Sequence, residues 1–189
     1  MFVDFLALLL VNMVAGFVLL AVYVFKGLDD QEQRHWAPGL AICGGIALVF
    51  GAYITACWPL PGSYNVAYGE MSVLFGAIFL ATAVAMLAGW QLTSVAGYAF
   101  FAGLAAVVVG VRILNLGLTQ APLLAGAGFL LSGIAGMGAF PVLVWFRSNI
   151  VVRALSALVL LATAGVWALT GYGAYWMHIS GFMKYMPGH

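Results

Sequence analysis

The chain has 189 residues, of which 66% are hydrophobic and only 6% charged, and its formal net charge is +1. A water-soluble domain carries about a quarter charged residues, so this composition excludes one and makes lipid the main solvent. The balance of six Lys or Arg against five Asp or Glu offers nothing to nucleic acid, and the first partner expected is the lipid bilayer.

Hydrophobic runs with few charges fall at about 2–25, 37–58, 71–90, 95–114, 122–146 and 150–176. Each supplies the roughly twenty residues that a helix needs to cross a hydrocarbon core of about 30 Å. None alternates in the segments of about ten residues that mark barrel strands. The expected fold is all-α, a polytopic bundle of about six transmembrane helices forming one domain over 1–189 with no soluble part. The first run is no cleavable signal: Asp4 stands where a basic residue is expected, and the apolar stretch to Phe25 is too long. In the second run, Cys43 and Cys57 lie roughly 21 Å apart along a helix and cannot bridge each other.

Small residues recur at packing spacing in the next three runs. They form the stripes Ala77, Ala81, Ala85 and Gly89; Ala99, Gly103, Ala106 and Gly110; and Gly128, Ser132 and Gly136. Such stripes let helix backbones approach closely where lipid removes the hydrophobic drive. Packing within one monomer is the simplest reading, with contact between copies or the lining of a narrow path as alternatives. The sixth run exceeds one crossing, so it tilts or breaks near Gly171 and Gly173, with Tyr172, Tyr175 and Trp176 in the interfacial belt.

Lys26, Arg34, Arg147 and Arg153 lie in or beside the first, third and fifth connections, whereas the other side holds Lys184 and, at its edge, Arg112. This bias places both termini on the outer side of what is expected to be a prokaryotic inner membrane. Glu70 and Arg112 flank a hairpin of nearly equal arms, so they are expected at one depth and paired. The same topology gathers Asp4, Asn12, Tyr64, Asn65 and Asn115 at that face, as an outer polar cluster that is either a ligand site or glue between helix ends. Asn12, within the first span, needs a partner on another helix.

No catalytic residue is assigned: there is no phosphate loop, zinc spacing or Ser-His-Asp grouping at one level. No cofactor is predicted either. Copper on the soft ligands Met177, His178, Met183, Met186 and His189 is the metal alternative, and a quinone is the other.

The stretch Trp58-Pro59-Leu60-Pro61-Gly62-Ser63-Tyr64-Asn65, followed by Tyr68-Gly69-Glu70, resembles the signature of the membrane-protein family designated domain of unknown function 981. That resemblance covers essentially the whole chain and implies no activity. Tyr68, Gly69, Leu74, Phe75 and Gly76 are similar, more weakly, to a motif of the six-span short-chain amide and urea channels. This second resemblance implies a narrow pore within each protomer of a ring-shaped oligomer. The histidines of the acid-gated members' outer loops have no counterpart in 59–70, and acidic residues of that family's later spans have none in 122–176, so no functional residue is carried over.

The resulting expectation is a passive channel or facilitator for a small neutral solute, working as a homo-oligomer or beside other membrane subunits. A non-catalytic accessory subunit of a larger membrane complex is the second reading. A membrane redox or copper-binding protein is the third.

Overall fold

A computed structural model describes residues 4–182. It contains six long helices: α1 (Phe5–Phe25), α2 (Ala37–Cys57), α3 (Met71–Ala88), α4 (Thr93–Leu116), α5 (Pro122–Val144) and α6 (Ile150–Phe182). All six are long and apolar enough to cross a membrane, and the chain is an integral membrane protein.

The helix ends follow local chemistry. The Asp4 carboxylate accepts from the Ala7 N–H at 3.2 Å and caps α1. Asn149 caps α6 by accepting from the N–H groups of Val151 and Val152 at 3.0 and 3.2 Å. Pro38 and Pro122 occupy the first turns of α2 and α5, where the missing N–H costs nothing. Gly89 and Gly117 end α3 and α4 in the left-handed region, at φ +71° and +60°.

Each helix packs on its neighbours in chain order, and α6 returns to α1, which closes a ring. The tightest pairs are α4 with α5, α1 with α6, and α2 with α3. Small residues contribute to all three. A Cβ on Gly103 would lie 2.6 Å from the Gly133 carbonyl oxygen, and one on Gly136 2.8 Å from that of Ala99, so α4 and α5 meet backbone to backbone. Between α2 and α3 the equivalent contacts are Gly44 against Leu80, Gly51 against Val73, and Gly76 against Leu48. Gly69 and Gly76 make close contacts with α2 here, while Ala81 and Gly89 of the third-span stripe singled out in the sequence are exposed. The fifth-span stripe divides its work, with Gly136 facing α4 and Gly128 facing Trp167 of α6.

α6 does not break at Gly171 or Gly173. Gly171 instead brings α6 onto α1, where a Cβ would be 2.9 Å from that of Leu10. The expected Glu70–Arg112 pair is absent. Among the described residues the acidic–basic pairs within 4 Å are Asp29–Arg153, Asp30–His35 and Asp4–His178. Both Glu70 and Arg112 are exposed. The reason is that α3 touches α4 far less than it touches α2, despite the short turn joining them. Equal depth did not bring the side chains onto facing surfaces.

Candidate functional site: cavities in series through the ring

Call the face bearing Asp4 the terminus face, and the one bearing the 26–36, 89–92 and 145–149 connections the basic face. At the terminus face the loop after α2 is locked by Asn65, which is fully buried. Its Oδ1 accepts from the Leu60 N–H at 2.9 Å, and its Nδ2 donates to the carbonyls of Leu60 at 2.5 Å and Gly62 at 3.0 Å. Asn65 opens a π-helical turn, Asn65–Glu70, that leads into α3. Such wide turns are frequent at functional sites because they re-aim side chains. Here the turn carries Tyr68 into the ring, where it is buried.

Tyr68 anchors an aromatic plug. Its ring stacks on Tyr64 at 5.6 Å, packs on Phe129 at 5.3 Å and meets Trp167 edge-on at 6.5 Å. The Tyr64 hydroxyl accepts from the Gln120 N–H at 3.2 Å, which ties two loops of this face together. Trp167 Nε1 donates to Ser132 Oγ at 3.0 Å, and that hydroxyl donates to the Gly128 carbonyl at 2.7 Å. The indole lies across Gly128, where a Cβ would come within 2.8 Å of it. A buried indole N–H needs such a partner, and finding one fixes the plane of the ring.

Beside the plug lies a void of about 30 Å³, walled among others by Met13, Met71, Phe75 and Trp167. Phe75 also walls a second cavity of about 290 Å³ in the other half of the ring, between α1, α3, α4, α5 and α6. Phe17 packs edge-on against Phe75 and Phe79, each at 6.4 Å, and these three rings form the neck. Gly16 makes room for Phe79, whose Cζ lies 2.6 Å from where a Cβ would stand. Tyr23, Leu92 and Leu143 close the larger cavity on its far side and also line a third, of about 830 Å³, at the basic face. Gln31, Arg34, Gln91 and Arg147 belong to this vestibule. The 30 Å³ and 290 Å³ cavities thus share the Phe75 wall, and the 290 Å³ and 830 Å³ cavities share the walls of Tyr23, Leu92 and Leu143.

The basic face is fastened by arginines. Arg153 is only 4% exposed, although its place in the sequence suggested a loop charge. Its Nε donates to the Val24 carbonyl at 2.9 Å and its Nη2 to that of Phe25 at 2.6 Å, while Nη1 meets Asp29 Oδ2 at 2.5 Å. Arg147 Nη2 donates to the Leu28 carbonyl at 2.8 Å. The Tyr23 ring rests edge-on against Trp36 at 5.7 Å, and Trp36 Nε1 donates to Asp30 Oδ2 at 2.9 Å.

The residues expected to form an outer polar cluster do not converge. Asn12 donates to the Cys43 carbonyl at 2.8 Å and joins α1 to α2. Asp4 meets His178 Nδ1 at 2.5 Å, Asn65 serves its own loop, and Glu70, Arg112 and Asn115 are exposed. Only Tyr64 touches the plug. Of the residues that make the plug, Tyr68 stood in the motif read from the sequence, whereas Phe129 and Trp167 carry no sequence signal that separates them from ordinary core aromatics. Met177 and His178 are exposed, while Met183, Met186 and His189 lie outside the described residues. Among the described residues no three His, Cys, Asp or Glu side chains are grouped to hold a metal.

The family described as protein of unknown function DUF981 matches residues 1–181. The chain belongs to this family. No curated protein matches it. Its fold is similar to the cryo-electron microscopy structure of the Helicobacter pylori urea channel in a closed state, with a TM-score of 0.70, 15% identity, and 92% of this chain and 97% of that one covered. The crystal structure of the urea channel from the same organism is similar at TM-score 0.66 and 19% identity, covering 87% and 96%. At such identities it is the fold of this DUF981 protein that is shared, a ring of six helices.

Proposed function

We propose that the protein is a passive channel for a small neutral solute, with one path through the ring of each protomer. The observation that carries this reading is the series of cavities, successive members sharing Phe75 and then Tyr23, Leu92 and Leu143. The likeness of the fold to urea channels supports it. Coupling to an ion gradient calls for an ionisable or carbonyl-lined site near the midplane, and no Asp, Glu, Lys, Arg or His lines the 290 Å³ cavity. Passage requires the rings of Tyr68, Phe129 and Trp167 and the Phe17–Phe75 neck to move aside. In this reading the assembly is a homo-oligomer with a separate path in every copy.

The test is stopped-flow swelling of liposomes carrying the purified protein, against empty ones. Small neutral solutes should enter faster with protein present, at a rate indifferent to a collapsed proton gradient. Unchanged permeability for every such solute would leave the accessory-subunit reading in its place.

The orientation belongs to the same proposal, with the basic face toward the cytoplasm. With Cys43 and Cys57 replaced, a single cysteine at Ser63 should react with an impermeant thiol reagent on intact cells, and one at Gln31 should not. The opposite pattern reverses the protein in the membrane.

A further inference from the structure

Resting on that channel reading, we infer that the 290 Å³ cavity makes the path disfavour urea and water and favour neutral solutes with fewer hydrogen-bonding groups and an alkyl body. The carriers of this selectivity are the walls. They are built from Leu, Val, Ile, Ala, Gly and Phe, and only Tyr23, Thr82 and Ser156 bring a polar side-chain atom to them. Two of those three are already committed. Thr82 Oγ1 donates to the Ile78 carbonyl at 2.7 Å and Ser156 Oγ to the Val152 carbonyl at 2.8 Å, so neither hydroxyl proton is free for a solute.

A solute in this cavity gives up its water and finds few replacements. Every N–H or C=O that enters unpaired loses the hydrogen bond it made in solution. Urea has four N–H bonds to satisfy and no apolar part to gain from carbon walls. Replacing one N–H on each nitrogen by a methyl group removes two of the four donors, leaves the C=O, and adds surface that the walls accept favourably. The volume is ample for the larger molecule. A water here finds few of the two to four polar partners it needs, which disfavours a continuous water file along the path. A purely apolar solute gains nothing over crossing the bilayer directly. The benefit falls on molecules of intermediate polarity, which here need to be dehydrated over the length of one cavity rather than the whole hydrocarbon core.

Stopped-flow swelling with urea, methylurea and 1,3-dimethylurea, each corrected for empty liposomes, tests this. The protein-dependent permeability should rise along the series, with 1,3-dimethylurea roughly tenfold above urea. Osmotic water permeability should equal that of empty liposomes. The variant Ala139→Asn, which adds a primary amide to the wall, should bring the ratio of 1,3-dimethylurea to urea down at least threefold. Urea entering as fast as 1,3-dimethylurea, or water permeability raised by the protein, would overturn the selectivity while leaving the channel standing. If none of the three solutes enters faster than into empty liposomes, the channel reading falls and the selectivity with it.

Discussion

Replacing Arg153 with methionine should lower the stability of the protein by about 2–4 kcal/mol, read as a drop in its unfolding midpoint in detergent. The side chain lies at the start of α6 yet reaches the end of α1, where the Val24 and Phe25 carbonyls have no further helical turn to accept from. A guanidinium is suited to this place, because its planar fork donates to both oxygens and its positive charge meets the negative end of the α1 dipole. Methionine keeps much of the volume and removes every donor. Part of the loss is offset because a buried cation no longer has to be desolvated. Asp29 matters less, since its side chain is 71% exposed and an exposed ion pair is worth little. Asp29→Asn should therefore cost under about 1 kcal/mol, and Arg153→Lys should fall between the two because a point charge cannot span both carbonyls. A wild-type midpoint for Arg153→Met would mean that the end of α1 is held by something other than Arg153.

Arg153 also illustrates where sequence reading stops. The six spans were legible because a chain with so few charges has almost nowhere else to put long apolar runs. Their neighbours in space were less so. Counting along two arms puts Glu70 and Arg112 at one depth but says nothing about which way each helix face turns, and the two exposed side chains do not pair. The third span begins at 71 as expected, but the π-helical turn before it was not legible, because a turn holding Asn65 and Gly69 has neither the period nor the composition of a helix. Gly69, in that turn, and Gly76, in α3, stand seven apart, a spacing that does not read as a stripe repeating every four residues. Asn12 could be read as interhelical glue, since a side-chain amide in lipid must find a partner, though that this was the Cys43 carbonyl depends on α2 lying beside α1. The plug was legible only in Tyr64 and Tyr68, which stand in one motif; Phe129 and Trp167 come from two other spans, where aromatic residues are common.

Filling the 290 Å³ cavity should abolish solute entry, and cutting back its neck should raise it. Ala135 lines the cavity and packs against the buried core, so Ala135→Phe puts a ring into the path with little change at the lipid surface. Where that ring strains the fold, Gly138→Leu is the second blocker, since a Cβ there meets nothing within 4 Å. Phe75 stands between the 30 Å³ and 290 Å³ cavities. Phe75→Ala removes most of that partition, at a stability cost of about 3–5 kcal/mol that makes a folding check necessary. Among folded variants, Ala135→Phe or Gly138→Leu should reduce the protein-dependent swelling rate to that of empty liposomes, while Phe75→Ala should raise it about tenfold, the change expected when roughly 1.4 kcal/mol of a ring-displacement barrier is removed. The opposite directions matter, because a general loss of fold lowers every rate and cannot produce the increase. Folded blockers that leave the rate untouched would show that solute does not travel along this axis, and the three cavities would then be packing defects of a protein whose role lies at its surface.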